Sequence, residues 1–173
     1  IVETFKEEIN NLIVQDVGDT EIKSYIKISE ARPFVVTDKE YLLPKKSVFN
    51  KIVGDSQFEL EFANFLDETD DVTSFAKNYR QFHFKIDYKN ASGTISNYYP
   101  DFFAKANNND IYIIETKGRE DLDDIEKKKR LAQWCEDASK RQNKIKYNML
   151  YVKQEDWESY KPKSFNELVE VFR

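Results

Sequence analysis

Three charged side chains stand where two predicted strands meet. In "YYPDFFAKANNNDIYIIETKG", Tyr98 to Gly118, Asp101 follows a proline, and Glu115 and Lys117 close the apolar run Ile111 to Ile114. Strand interiors disfavour charge, so the positions need a reason. "ANNND" reads as the turn of an antiparallel hairpin, and centring it on Asn108 sets Asp101 directly opposite Glu115. Residues so paired have Cβ atoms roughly 4.5–5.5 Å apart. Lys117 shares the face of Glu115 because strand side chains alternate, and Thr116 points away. Two carboxylates forced together repel unless a proton or a cation lies between them. Magnesium suits the place, since it takes hard oxygen ligands and keeps several waters, with manganese as the substitute and the Thr116 carbonyl as a further ligand. Such an ion polarises a phosphate and generates hydroxide, and the neighbouring lysine orients water or stabilises charge. The plainer alternative is a cross-strand ion pair of Lys117 with Asp101 and Glu115 on a solvated sheet edge.

Other residues are candidates around this centre. Glu59 stands at the margin of an apolar helix face made by Phe58, Phe62, Phe65 and Leu66, where a glutamate needs a partner. It also completes a capping box with Ser56, and the two roles are about equally supported. Lys77, Asn78 and Arg80 form a small basic cluster ahead of the second strand that could touch a phosphate backbone. The run Lys127 to Arg130 is preceded, four residues earlier, by Asp123, Asp124 and Glu126, which predicts a solvated, salt-bridged helix. Lys128 is the exception, because Leu131, Ala132 and Cys135 share its side, and Gln133 is a weaker candidate. His83 reads as a surface residue and Cys135 as core.

Positioning these groups requires a particular set of elements. Val2, Phe5, Ile9, Leu12 and Ile13 predict a first amphipathic helix, and "SYIKIS" and "PFVVTD" two short strands, which together make residues 1–46 an N-terminal extension. From residue 47 to 173 a main domain follows. "SQFELEFANFLDE" predicts a helix and "QFHFKIDY" an alternating strand, after which the hairpin supplies two more strands. "EDLDDIEKKKRLAQWCEDASKRQ" predicts a long helix, "IKYNMLYV" a strand, and Ser164 with Glu167 the cap of a last helix. A helical connection ahead of the last strand implies a mixed sheet with helices on both faces.

The whole chain narrows the chemistry. A single cysteine excludes an internal disulfide framework and leads us to expect a cytoplasmic protein. A single histidine argues against His-rich zinc sites and Ser-His-Asp or Cys-His catalysis. The four glycines form no phosphate loop, and no apolar run reaches membrane-spanning length. The net charge of −5 argues against binding nucleic acid by bulk electrostatics, though not against a site where a metal supplies the charge. The chain opens on Ile1 rather than methionine, so we expect a piece of something larger.

Pro100-Asp101 followed by Glu115-Thr116-Lys117 resembles the PD-(D/E)xK signature of the restriction-endonuclease-like nucleases. "SQFELEFANFL", "VTSFAKN", "YYPDFF" and "IIETKG" together resemble the C-terminal nuclease domain of type III restriction enzyme Res subunits and related helicase-nucleases, over roughly residues 47–160. The resemblance implies an α/β/α three-layer sandwich with an αβββαβ core around a mixed sheet. It implies Mg²⁺-dependent endonucleolytic cleavage of double-stranded DNA, with Asp101, Glu115 and Lys117 catalytic and Glu59 facing the metal. It also implies work alongside a superfamily 2 helicase or translocase and a methyltransferase subunit. Two alternatives remain: a non-cleaving nucleic-acid-binding or docking module of the same fold, and an exonuclease of the same superfamily.

Overall fold

The computed structural model describes residues 22, 24–35, 39–142 and 144–172; the helix expected over residues 2–13 lies outside them. A short antiparallel pair, β1 (Tyr41–Leu42) and β2 (Ile52–Val53), leads into helix α1 (Gln57–Glu68). Gly54 sits where an added Cβ would fall 2.7 Å from the Ser56 carbonyl oxygen and 2.8 Å from Leu60, so only glycine lets the chain turn this tightly into the helix. Ser56 Oγ accepts from the Glu59 amide at 3.2 Å. The Glu59 carboxylate returns to the Asp55 amide at 3.0 Å, one residue earlier than in an ordinary capping box.

Four strands make the central sheet in the order β3 (Val72–Lys77), β6 (Phe102–Ala106), β7 (Ile111–Lys117), β8 (Tyr147–Lys153). The first two pairings are antiparallel and the last is parallel, reached through helix α2 (Asp124–Arg141). Between β3 and β6 the chain inserts a separate hairpin, β4 (Ile86–Lys89) and β5 (Ile95–Tyr98), which turns through Gly93 at φ 83°. Helices α3 (Gln154–Tyr160) and α4 (Phe165–Phe172) end the chain, and Ser164 Oγ caps α4 through the Glu167 amide.

One face of the sheet packs Phe102, Ala104, Tyr112, Ile114, Leu150 and Val152 against Phe58, Phe62 and Leu66 of α1 and Phe165 and Leu168 of α4. The opposite face packs Ile113 against Leu131 and Cys135 of α2 and Ile86, Tyr88 and Tyr98 of the inserted hairpin. The result is a three-layer α/β/α sandwich of restriction-endonuclease-like form, with an αβββαβ core.

Two strand expectations are corrected. The first sheet strand is Val72–Lys77 and not the stretch 81–88. Residues 80–82 form a 3-10 turn closed by His83 at φ 58°, a left-handed conformation that interrupts the expected extended run. The segment 24–29 is no strand either, being extended coil that ends in a 3-10 turn over Ile28–Glu30 without a ladder partner.

Candidate active site

Asp101 is held by its backbone before its side chain is considered. Its amide donates to the Ile114 carbonyl at 2.9 Å, and its carbonyl accepts from the Asn78 amide at 2.6 Å. The Asn78 side-chain amide donates to the carbonyls of Pro100 at 2.8 Å and Phe84 at 3.2 Å. Asn78, expected as a phosphate contact, is thus a bracket between the end of β3 and the Pro100-Asp101 step. The hairpin register is the expected one: Phe102 pairs with Ile114, and Asp101, one residue before, falls across from Glu115. The turn is made by the asparagines, with Asn109 at φ 67° and Asn108 Oδ1 accepting from the Asp110 amide.

The two carboxylates do not simply stand side by side. Asp101 Oδ2 accepts from the Thr116 amide at 2.8 Å and from Thr116 Oγ1 at 2.7 Å. Thr116 was expected to point away, yet its hydroxyl holds Asp101. Glu115 is nearly buried, and its Oε2 accepts from the Tyr98 hydroxyl at 3.0 Å. Burial raises the Asp101 pKa to about 6, against the Thr116 hydrogen bonds, with the Glu59 charge adding to the rise. Burial, then the charge of Asp101, pushes Glu115 well above the ordinary carboxylate range. The charge of Asp101 therefore opposes ionisation of Glu115, and each carboxylate keeps a second oxygen without a protein donor among the described residues.

Lys117 makes no ion pair with either of them. Its Nζ lies 2.8 Å from Asp124 Oδ1 and 3.2 Å from Asp121 Oδ2, so the plain cross-strand pair with Asp101 and Glu115 is not formed. Lys127 joins the same two aspartates at 3.0 and 3.4 Å, and Asp124 is buried at the first turn of α2. Burial works to lower the Lys117 pKa, but the hydrogen bonds it donates to Asp124 and Asp121 outweigh it and the net shift is upward.

Lys77 is the clearest departure from expectation. It is 4% exposed, not part of an open basic surface. Its Nζ is ion-paired with Glu59, lies 3.5 Å from Asp55 Oδ2, and sits 5.4 Å from the centre of the Phe102 ring. Glu59 thus both closes the helix cap and faces the site through Lys77. Arg80 is exposed, with its guanidinium 5.6 Å from the ring of Tyr99, itself exposed just before Pro100. Lys128 lies over the ring of Tyr151, 3.6 Å from its centre, and pairs with Glu120 at 3.1 Å. Tyr151 is the strand neighbour of Glu115, which keeps Lys128 on the Glu115 side of the sheet. Gln133 bonds Asp137 along its own helix. Helix α2 is salt-bridged as expected, but at other spacings for the named acids: Glu126 pairs with Lys129 and Asp124 with Lys127, both i,i+3. Asp123 accepts from Tyr88 and the Ala91 amide, and Arg130 donates to the Asp87 carbonyl.

Sequence reasoning overlooked Tyr98 and the Asp121-Asp124-Lys127 cluster. Tyr98 lay inside the quoted stretch, and its phenol in an alternating strand signalled a buried hydroxyl in need of a partner.

The residues present suit a hard divalent ion. Two buried carboxylates with raised pKa values, Glu115 in part through the charge of Asp101, each with a spare oxygen, are relieved by a cation between them. Among the described residues no three His, Cys, Asp or Glu side chains converge on one point, so the fit is to an ion held by two carboxylates and otherwise by water.

A family model described as an endonuclease domain matches residues 45–155, well over half of the chain. No curated protein and no solved structure matches. The matched span runs from ahead of α1 to the end of β8, and so takes in Glu59, Lys77, Asp101, Glu115 and Lys117. The chain belongs to this endonuclease-domain family, a restriction-endonuclease-like nuclease.

Proposed function

We propose that the chain is the nuclease module of a type III-like restriction enzyme, a Mg²⁺-dependent endonuclease that hydrolyses phosphodiester bonds of double-stranded DNA. Residues 47–173 form its body and residues 1–46 an extension. The observation that carries the reading is the pair Asp101 and Glu115, two charge-coupled carboxylates on neighbouring strands, each with an oxygen to spare.

In this reading Asp101 and Glu115 hold the ion, with the Thr116 carbonyl as a further ligand. Bound there, Mg²⁺ or Mn²⁺ supplies Lewis acidity toward a phosphate oxygen and toward water. Thr116 and Tyr98 keep the two carboxylates aimed by donating to one oxygen of each. Lys117, at the end of β7, supplies a positive charge that Glu115 feels and orients the attacking water. Water adds to phosphorus, one P–O ester bond breaks, and the leaving oxygen takes up a proton. Arg80 and Lys128 contact the flanking phosphates. Affinity for DNA beyond these contacts comes from a helicase or translocase acting with a methyltransferase subunit in the cytoplasm, because a chain of net charge −5 lacks a broad basic surface.

One observation favours the second reading, a non-cleaving docking module: Lys117 is engaged by Asp124 and Asp121 rather than by the carboxylate pair. Nicking of supercoiled plasmid with Mg²⁺, with EDTA, and by Asp101→Asn separates the two. Nicking that needs Mg²⁺ and disappears in the variant is expected. No nicking at any Mg²⁺ concentration, with the fold intact, would establish the docking module.

A further inference from the structure

Glu59 is the acid nearest to becoming a third metal ligand, and its surroundings argue that it is already occupied. It lies in the first turn of α1, and its carboxylate accepts from the Asp55 amide and is ion-paired with Lys77 Nζ. Lys77 is the last residue of β3, paired in register with Phe102, and the next residue's amide bonds the Asp101 carbonyl. Backbone geometry therefore fixes this lysine beside the residue that precedes Phe102. Its ammonium is enclosed by Glu59, Asp55 and the face of the Phe102 ring.

For Glu59 to ligate a divalent ion, Lys77 would have to leave. An ammonium that is almost fully buried has nowhere to go without losing its acid, and breaking one side of a buried pair is strongly unfavourable. Lys77 also places positive charge where Asp101 feels it. A second divalent ion held by Glu59 and Asp101 would bring charge of the same sign to the same place. The two roles exclude each other.

We propose that Lys77 is a built-in cation standing where a second divalent ion would bind between Glu59 and Asp101, so that the site takes one divalent ion per chain. Lys77 is a positioning residue: it neutralises Glu59, shares the exposed Asp55 with Lys39, keeps α1 docked on β3, and leaves Asp101 and Glu115 as the ligand pair. The inference rests on the metal-binding reading above.

Bound Mn²⁺ is counted by electron paramagnetic resonance of free Mn²⁺ in titrations of the whole 173-residue chain. Wild type and Lys77→Arg should each bind one ion. Lys77→Met should bind a second, and the double variant Lys77→Met/Glu59→Gln should lose it again. Glu59→Gln alone keeps the helix cap and should still bind one ion, with Kd shifted by about tenfold or less. That variant decides the matter if Lys77→Met does not fold. Two ions on wild type, one of them lost in Glu59→Gln, would overturn the inference and leave the metal-binding reading standing. A single ion on wild type that Asp101→Asn does not disturb would instead overturn the metal-binding reading, and the inference with it.

Discussion

The two margins of the site are built on one plan. On each, a lysine ends a strand, Lys77 on β3 and Lys117 on β7, and meets an acid in the first turn of a helix, Glu59 on α1 and Asp124 on α2. On each, a second and more exposed acid precedes the helix, Asp55 or Asp121. The difference is one of reach. Lys127 contacts both aspartates of the Lys117 cluster, so Asp124 has two lysines. Lys39 on the other margin reaches only the exposed Asp55, at 3.0 Å, and among the described residues Glu59 has Lys77 alone, under the Phe102 ring. An ion pair with a stand-in can lose a member and keep its remaining charge paired; one without a stand-in cannot. The Lys77 side is therefore the fixed wall of the site. In the proposed mechanism the Lys117 side releases its lysine toward a phosphate while Lys127 keeps the aspartates neutralised.

The largest effect that tests this asymmetry is on stability. Lys77→Ala should cost roughly 3–5 kcal/mol, because Glu59 is left partly buried without its cation. Lys117→Ala should cost about 1–2 kcal/mol, the scale of lost hydrogen bonds to a charged group. Urea unfolding of both variants in EDTA at neutral pH checks the order. Equal costs would erase the distinction, and a larger cost at Lys117 would reverse it.

Next in size is a pH effect on the carboxylate pair. The folded pKa of Asp101 is raised to about 6, and that of Glu115 is raised well above its ordinary value. A raised carboxyl pKa gives stability that is present at low pH and is lost as pH climbs through the folded value. Without metal the protein should therefore gain stability between pH 7.5 and 5, by roughly 1–3 kcal/mol. Asp121, lowered to about 2, and Asp55, also lowered, lose their contribution only in stronger acid and leave this window clear. Asp101→Asn should take up part of the gain and be the more stable protein at pH 7.5 in EDTA. Melting curves across the window check both statements, and a metal-free stability that falls steadily below pH 7 would contradict them.

The smallest effect belongs to Tyr98. Tyr98→Phe removes one hydrogen bond to Glu115 and should cost about 1 kcal/mol. It should weaken Mg²⁺ binding by about tenfold, as loss of a group orienting a ligand does. A loss of stability with Mg²⁺ affinity unchanged would make Tyr98 structural only.

What was legible in the sequence divides along the same physical lines. Signals that act over a few residues were readable: the Ser56 and Ser164 caps, the asparagine turn, and through it the register that sets Asp101 against Glu115. Strand β3 was not, because a bulge between Val72 and Ser74 breaks the alternation that announces a strand. Its end is also buried on both sides, with a bridge from Ser47 to Phe75 covering the outer edge. Missing β3 left Lys77 in a small basic cluster ahead of a strand, and its partner Glu59 lies 18 residues away, beyond any local pattern. Asp124 was read as a surface acid paired along its helix. The loop ahead of α2 folds back so that Asp121 donates its amide to Asp124 Oδ2 at 2.6 Å, and the carboxylate is enclosed between two lysines. Charge spacing along a helix carries no information about a strand end packed beneath it.

The central claim, that Asp101 and Glu115 share one divalent ion, is tested most directly by calorimetric titration of Mg²⁺ at pH 6 in two buffers of different ionisation enthalpy. Ligands must lose their protons to bind, and at that pH Asp101 is about half protonated, while burial and the charge of Asp101 also favour the protonated form of Glu115. The account predicts saturable binding with net proton release, which falls as the pH is raised toward 8, and loss of the binding in Asp101→Asn and Glu115→Gln alike. Binding with no proton release at pH 6, or binding that both variants retain, would contradict it.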